Sequence, residues 1–383
     1  MLPSYRRRFN ERWSPEKYRR FLDILQQRTG EPPQFRHSET PCFFPTELIE
    51  QMARYGREMC EQLLANPQYQ ADSRRAVPDR WRVPNEDPHP LFVQADFGLD
   101  EDRQPKLVEI QGFPSLYAYQ LLLAEAYREA YDLDRNLTDR LCTDYHERLR
   151  EAIIGACDPK NVVLMEIDPW NQKTRHDFLM TQRWFGVKTV DISHIKKTGR
   201  HLYHDGTRID RIYNRAIVDE IERRNIQLPF DFRDDLEVEW AGHPNWFFRL
   251  SKFSLPYINH PAAPKTIFLT EVDDPENWVL KPLYSFAGTG VIVGPTHDQI
   301  AAIPEDQRSS YILQQRVNFR PVIDTPAGPT KVEVRIMYLW QDTLRPVNTV
   351  VRMGRGPQMG VDHNKEMEWV GASAAFLDGA ASQ

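Results

Sequence analysis

The sequence predicts a mixed α/β fold with a helical N-terminal region and a small parallel α/β unit. Residues 1–85 read as mostly helical. Residues 160–215 alternate strand, helix and strand at short spacing. Residues 265–320 alternate again, before a β-hairpin pattern over 331–352. At 383 residues the chain is long enough for two or three sub-domains with their own cores.

Composition narrows the function classes. Hydrophobic residues make up 40% and charged residues 27%, which excludes a disordered chain. No run of about 18 apolar residues occurs, so no membrane span and no membrane partner are expected. The start, MLPSYRRRFNERW, is basic but has no apolar stretch after it, so no secretory signal is expected. The formal net charge of −6 argues against nucleic acid as the main partner. Cys42, Cys60, Cys142 and Cys157 are widely separated and form no CxxC pair. Neither a zinc site nor a disulfide framework is expected; buried thiols and a cytoplasmic location are.

Local signals define the elements in order. Ser14-Pro15-Glu16 is an N-cap followed by a first-turn proline. Thr46-Glu47-Leu48 opens a helix to about Leu64, ended by Asn66-Pro67. Residues 84–90 are a Pro-rich loop. Residues 91–99 read as a strand, 100–105 as a turn and 106–111 as the returning strand. Helices are expected from Ser115 to about Asp132 and over 136–155. Strands are expected at 162–165, 188–192 and 211–215, a helix at 172–185, and an Asp205-Gly206 turn between His201-Leu202-Tyr203 and Arg208-Ile209. The last ten or so residues, rich in Ala and Ser, read as a loose tail. No internal repeat is evident. Expected divisions are 1–90, 91–158, 159–245 and 246–375, with 376–383 as tail.

The strongest chemical signal is the segment from Trp278 to Val293. A strand ends in Lys281, a loop carries Gly288, Thr289 and Gly290, and a second strand follows. Glycines let backbone N–H groups approach phosphate oxygens, and a lysine adds positive charge. The P-loop pattern is absent and a strand follows rather than a helix, which excludes both a P-loop and a dinucleotide fingerprint. An ordinary Gly-rich hairpin would look the same, so partners matter. Lys252 precedes the loop. The strand from Tyr311 turns polar at Gln314, Gln315 and Arg316 before Val317, and such a strand end can offer backbone groups to an adenine edge.

A second cluster is acidic. Asp96 and Glu109 lie on the two arms of a hairpin, and Gln111 shares the face of Glu109 by the two-residue period of a strand. Carboxylates and an amide suit magnesium. A solvated hairpin face is the plain alternative. Against it, Glu109 lies in the apolar run Leu107-Val108-Glu109-Ile110, where an unpaired carboxylate is costly.

Taken together, these motifs resemble the ATP-grasp superfamily, in the circularly permuted order of the synthetase domain of glutathionylspermidine synthase. The likeness covers roughly residues 90–375. It implies a permuted ATP-grasp fold whose small α/β domain holds His201 to Arg215. Lys252 and Lys281 would bind the α- and β-phosphates of ATP. Gly288, Thr289 and Gly290 would form a lid, and Gln314, Gln315, Arg316 and Val317 the adenine hinge. Asp96, Glu109 and Gln111 would hold magnesium. Arg335 and Arg352 would stabilise the transferring phosphoryl group together with Asn364, in the closing loop Asp362-His363-Asn364. Two departures stand out: Gln111 replaces the usual Asn, and Gln94 stands where an arginine often lies, so glutathione itself is not implied as the acid.

The activity implied is ATP- and magnesium-dependent carboxylate–amine ligation through an acyl phosphate. The partners implied are ATP, a small carboxylate and an amine acceptor. A phosphotransferase and a catalytically silent binding protein on the same fold are the alternatives. Nothing in the sequence names the acid, the amine or the oligomeric state.

Overall fold

The computed structural model describes residues 1–285, 288–356, 359–360, 364 and 366–379. Helices α1 (Pro3–Arg12) and α2 (Pro15–Thr29) open the chain. The Ser14 hydroxyl accepts from the Lys17 N–H at 3.4 Å, as its position ahead of Pro15 predicts. Strand β1 (Cys42–Phe44) precedes α3 (Thr46–Ala65) and α4 (Pro67–Ala76). Asn66 ends α3 and begins α4 at once, because its side chain accepts from the Gln68 and Tyr69 N–H groups.

Strands β2 (Phe92–Leu99) and β3 (Pro105–Gln111) form the expected hairpin. The Asp100 carboxylate sets its turn by accepting from Asp102 N and Gln104 N. Helices α5 (Tyr117–Tyr131) and α6 (Tyr145–Ile154) follow. The helix expected over 136–155 therefore exists only from Tyr145. Upstream, Thr138 exchanges backbone bonds of 3.0 and 2.8 Å with Leu377, and Leu141 N donates to Val347 O at 3.1 Å. These pairings satisfy groups that a helix would have used internally.

The small unit contains β4 (Val162–Glu166), α7 (Arg175–Phe185), β5 (Lys188–Asp191), β6 (Lys196–Thr198), β7 (His201–His204), β8 (Thr207–Ile209), β9 (Arg211–Asn214), α8 (Val218–Arg223) and β10 (Glu239–Ala241). Its main sheet, ordered β10-β9-β4-β5, is parallel throughout. The run Val162-Val163-Leu164-Met165 is buried, as a strand covered on both faces requires. Asp205 and Gly206 both take positive φ (49° and 77°) in the tight turn between β7 and β8.

After α9 (Trp246–Arg249), a 3₁₀ turn over Lys252–Tyr257 carries Lys252. An antiparallel sheet follows, ordered β11 (Thr266–Phe268), β14 (Tyr311–Gln315), β12 (Trp278–Pro282), β13 (Ile292–Val293), with α10 (His297–Ala301) between β13 and β14 in the chain. Strands β15 (Lys331–Trp340), β16 (Leu344–Gly354), β17 (Gly371–Ser373) and β18 (Ala375–Leu377) complete the described chain.

The five-stranded sheet is ordered β17-β16-β15-β2-β3. A hairpin from the first third of the sequence thus pairs with a strand from the last sixth. The loose tail expected from about residue 374 does not hold for residues 375–377, since β18 pairs in parallel with β1 and buries Phe376 and Leu377. The N-terminal helices have no core of their own: Phe21, Tyr127, Leu149, Phe178 and Phe376 share one buried cluster.

Candidate functional site

The site grows from the register of the five-stranded sheet. Asp96 on β2 stands opposite Glu109 on β3 and opposite Arg335 on β15. Glu333 stands opposite Arg352 on β16. Glu333 and Arg335 are two residues apart on one strand and therefore share a face. Four of the expected residues thus meet on one patch of sheet.

Asp96 is fully buried. Arg335 grips it with two N–H groups, Nε at 2.6 Å from one oxygen and Nη2 at 2.7 Å from the other. Arg352 Nη2 donates to the second oxygen at 2.5 Å and also binds the Glu333 carboxylate. Burial alone would raise the Asp96 carboxyl, but Arg335 and Arg352 outweigh it and hold it below its usual range. Burial pushes Glu333 up to about 7, with Arg352 pulling down and Asp96 and Glu109 pushing further up. Burial works against the charge of Arg335, yet Asp96 and Glu109 keep it firmly protonated.

The second wall comes from β12 and the Lys252 turn. Lys281 Nζ donates to Gln314 Oε1 at 2.5 Å and to the Val108 carbonyl on β3 at 2.9 Å, so it ties the two antiparallel sheets together. Burial pushes Lys281 down to about 8, with Glu109 opposing the shift and Lys252 adding to it. Lys252 Nζ donates to the Ser285 carbonyl at 2.6 Å and lies 3.8 Å from Glu109. Arg335 lies 3.6 Å from Glu109 on the other side. Four cations (Lys252, Lys281, Arg335, Arg352) therefore face three carboxylates (Asp96, Glu109, Glu333), and the excess positive charge suits an anion.

The same geometry tests the expected magnesium site. A carboxylate has about four lone-pair positions, and three guanidinium contacts already fill most of those on Asp96. The Gln111 amide lies against Gln94 at 2.8 Å, and its oxygen, turned to Arg335, accepts from that guanidinium at 3.2 and 3.3 Å. Among the described residues, no three His, Cys, Asp or Glu side chains are grouped to hold a metal. The donors as arranged, with Asp96 already held by two guanidinium groups, do not fit a resident magnesium ion.

The remaining expected residues fall around this patch. Gly288, Thr289 and Gly290 form the turn after β12, with φ of 76° at Gly288 and 73° at Gly290, and Thr289 and Gly290 are exposed. Gln315 N donates to Lys265 O and Arg316 N to Asn277 O, so both hinge N–H groups are engaged within the sheet edge. Val317 follows them and is half-buried. The Asn364 oxygen accepts from Arg355 N and Gly356 N, each at 3.0 Å, and its nitrogen donates to Gly360 O. Asn364 thus braces the loop after β16. Asp362 and His363 lie outside the described residues.

Sequence reasoning missed Glu333 and the roles of the Val108 and Ser285 carbonyls. The Glu-x-Arg spacing at Glu333 and Arg335 was the available signal, since it places both on one face. Nothing in a sequence marks which carbonyl a distant lysine will meet. Gln94, noted for replacing an arginine, instead donates to Ser115 O and accepts from Arg335.

No family model and no curated protein matches the chain. Among solved structures, a glutathione synthetase-like effector from Globodera pallida, in its apo form, is similar with a TM-score of 0.60. The match covers 94% of this chain and 96% of that one, at 11% identity. At that identity the likeness is one of architecture alone, and it extends over nearly the whole of both chains. The chain shares its overall architecture with that effector.

Proposed function

We propose that the protein is an ATP-dependent carboxylate–amine ligase on a permuted ATP-grasp fold. The observation that carries this is the convergence of Lys281 and Lys252, from separate segments, with Glu109 and Arg335 between two antiparallel sheets. The β- and α-phosphates of ATP would lie against the two ammonium groups, with the Gly288–Gly290 turn above them. The adenine edge would meet the backbone beyond Gln315 and Arg316, at Val317. Nucleotide would arrive as its magnesium complex, since the protein donors alone do not compose a metal site.

The chemistry is activation of a poor electrophile. An oxygen of the substrate carboxylate attacks the γ-phosphorus, the bond to the bridging oxygen breaks, and ADP leaves. An amine then adds to the acyl phosphate carbon and expels inorganic phosphate, giving an amide and releasing a proton. Arg335 and Arg352 would neutralise charge on the transferring group, and the fixed sheet would supply position. For Arg352 to reach a phosphoryl group it must exchange part of its pairing with Asp96 and Glu333.

That exchange also favours a second reading. With Asp96 clamped by two guanidinium groups, both arginines are already paired, as expected of a binding protein without turnover. Calorimetry with ATP and magnesium, followed by ADP release over panels of acids and amines, separates the two. Saturable ATP binding that Lys281→Ala weakens roughly a hundredfold, about 2.7 kcal/mol, together with acid-dependent ADP release, supports the ligase. Binding without ADP release over the panels supports the silent protein. A wild-type protein that binds no nucleotide sinks both.

A further inference from the structure

A cavity of about 270 Å³ lies away from the charged patch, between the loop at Val83–Asp87 and the segment from Asp234 to His243. Liquid water occupies roughly 30 Å³ per molecule, so the space suits a small organic molecule. Leu236, Val238 and Trp240 give it an apolar wall. It sits at the N-terminal ends of β9 and β10, whose first residues, Arg211 and Glu239, line it.

The charges on its wall do not balance. Glu239 is paired with Arg211 at 2.5 Å, and Asp234 with Lys197 at 2.6 Å. The Arg211 guanidinium is further engaged by the Ile153 and Ala152 carbonyls, each at 3.0 Å. His243 is buried, lies 3.1 Å from the Pro84 carbonyl through Nε2 and accepts from Asn245 N through Nδ1, which leaves the ring neutral. Its pKa is lowered, chiefly by burial. The Asp87 carboxylate, by contrast, accepts no hydrogen bond among the described residues, although Arg211, His243 and His89 lie near enough to act on it. One half-buried carboxylate without a cation of its own, beside an indole and an aliphatic wall, is what a primary ammonium group with a short apolar stem would fit.

We infer that this cavity is a binding site for a small primary amine, with Asp87 holding the ammonium group and Trp240, Leu236 and Val238 covering the stem. The inference does not depend on ATP binding. Trp246 links the cavity to the sheet site: it donates from its indole to the Asp87 carbonyl at 3.3 Å, while its own carbonyl lies beside Gly112, next to Gln111.

The test is calorimetric titration of the full chain with n-butylammonium chloride, with sodium butyrate and 1-butanol as probes of equal length. Asp87→Asn and Trp240→Ala are titrated alongside, after circular dichroism shows that each is folded. The expected result is saturable binding of butylammonium, weakened roughly tenfold or more by either substitution. Butyrate and butanol are expected to bind more weakly than the amine. Absence of saturable amine binding, equal affinity for butyrate, or an Asp87→Asn variant as tight as wild type each overturns the inference. Should Asp87→Asn fail to fold, the order of the three probes on the wild type and the Trp240→Ala result decide it. Failure here leaves the nucleotide reading standing, because the ATP titration uses separate residues and a separate ligand.

Discussion

Lys281 fastens the two sheets together, and in the proposed function the same ammonium group would also meet the phosphates of ATP. It joins β12 to the Val108 carbonyl of β3, and burial has moved its pKa to about 8. An ammonium attracts phosphate and an amine does not. Affinity for ATP should therefore fall as pH rises through about 8. Bound phosphate favours the ammonium, so above that pH binding should take up a proton, and calorimetric heats should vary with buffer ionisation enthalpy. Heats that ignore the buffer would show that Lys281 does not meet the ligand. Asp96 gives a second test at this scale. Asp96→Asn leaves two guanidinium groups short of their shared anion, and loss of one partner of a buried pair costs about 3–5 kcal/mol. Urea denaturation should show a drop of that size; a loss under about 1 kcal/mol is what an exposed pair would give.

At the scale of elements, edge pairings decide what the sequence leaves open. Strand β17 seats the segment before β1 on the large sheet, through Ala372 N to Arg36 O and Ser38 N to Ala372 O, both at 2.9 Å. Gly371 begins that strand with φ of 113°, and a Cβ there would stand 2.5 Å from the Arg36 carbonyl oxygen. Gly371→Ala should destabilise the protein by about 1–3 kcal/mol and lower its urea midpoint, with most of the new mobility in residues 36–38 by hydrogen exchange. A midpoint equal to wild type would mean that β17 does not hold this segment. The same logic explains the shortened helix before Tyr145. Residues 137–141 carry helix-compatible side chains, yet their backbone is claimed by Leu377 and Val347, more than 200 residues away in each case.

Across the whole molecule, buried titratable groups outside the sheet site set the pH dependence of stability. His37 is buried against Tyr119, and burial lowers its pKa to about 3 from 6.5. Below pH 6.5 the unfolded chain binds a proton that the folded chain refuses, so stability should fall as pH drops from 6.5 toward 3. His176 is shifted the same way by burial, with Glu31 opposing. Glu166 works in the other direction. Burial raises its pKa from 4.5 to about 8, so the folded chain holds a proton that the unfolded chain has lost, and stability should fall as pH rises across that window. Glu166→Gln, which keeps an acceptor for the Ile167 N–H, should raise Tm at pH 8 and above, with the gain vanishing toward pH 4.5. A gain that grows on acidification would reverse the assignment. His37→Gln should flatten the acid limb alone.

What the sequence determined by itself was local. The Ser14 cap, the Asp205-Gly206 turn, the hairpin carrying Asp96 and Glu109, the buried run at Val162 and the lysine at the end of β12 each depend on interactions within a few residues, and all are present. The tertiary structure decided the partners. Arg335 meets Asp96 across 239 positions of sequence, Lys281 meets Val108 across 173, and β18 finds β1 rather than fraying. Periodicity places a side chain on a face but does not say which strand will lie beside it. For that reason the carboxylate at Asp96 could be read from the sequence as a metal ligand, while only the assembled sheet shows it held by two arginines. Strand order fixed the charge balance of the site, and strand order is set by burial summed over the whole chain.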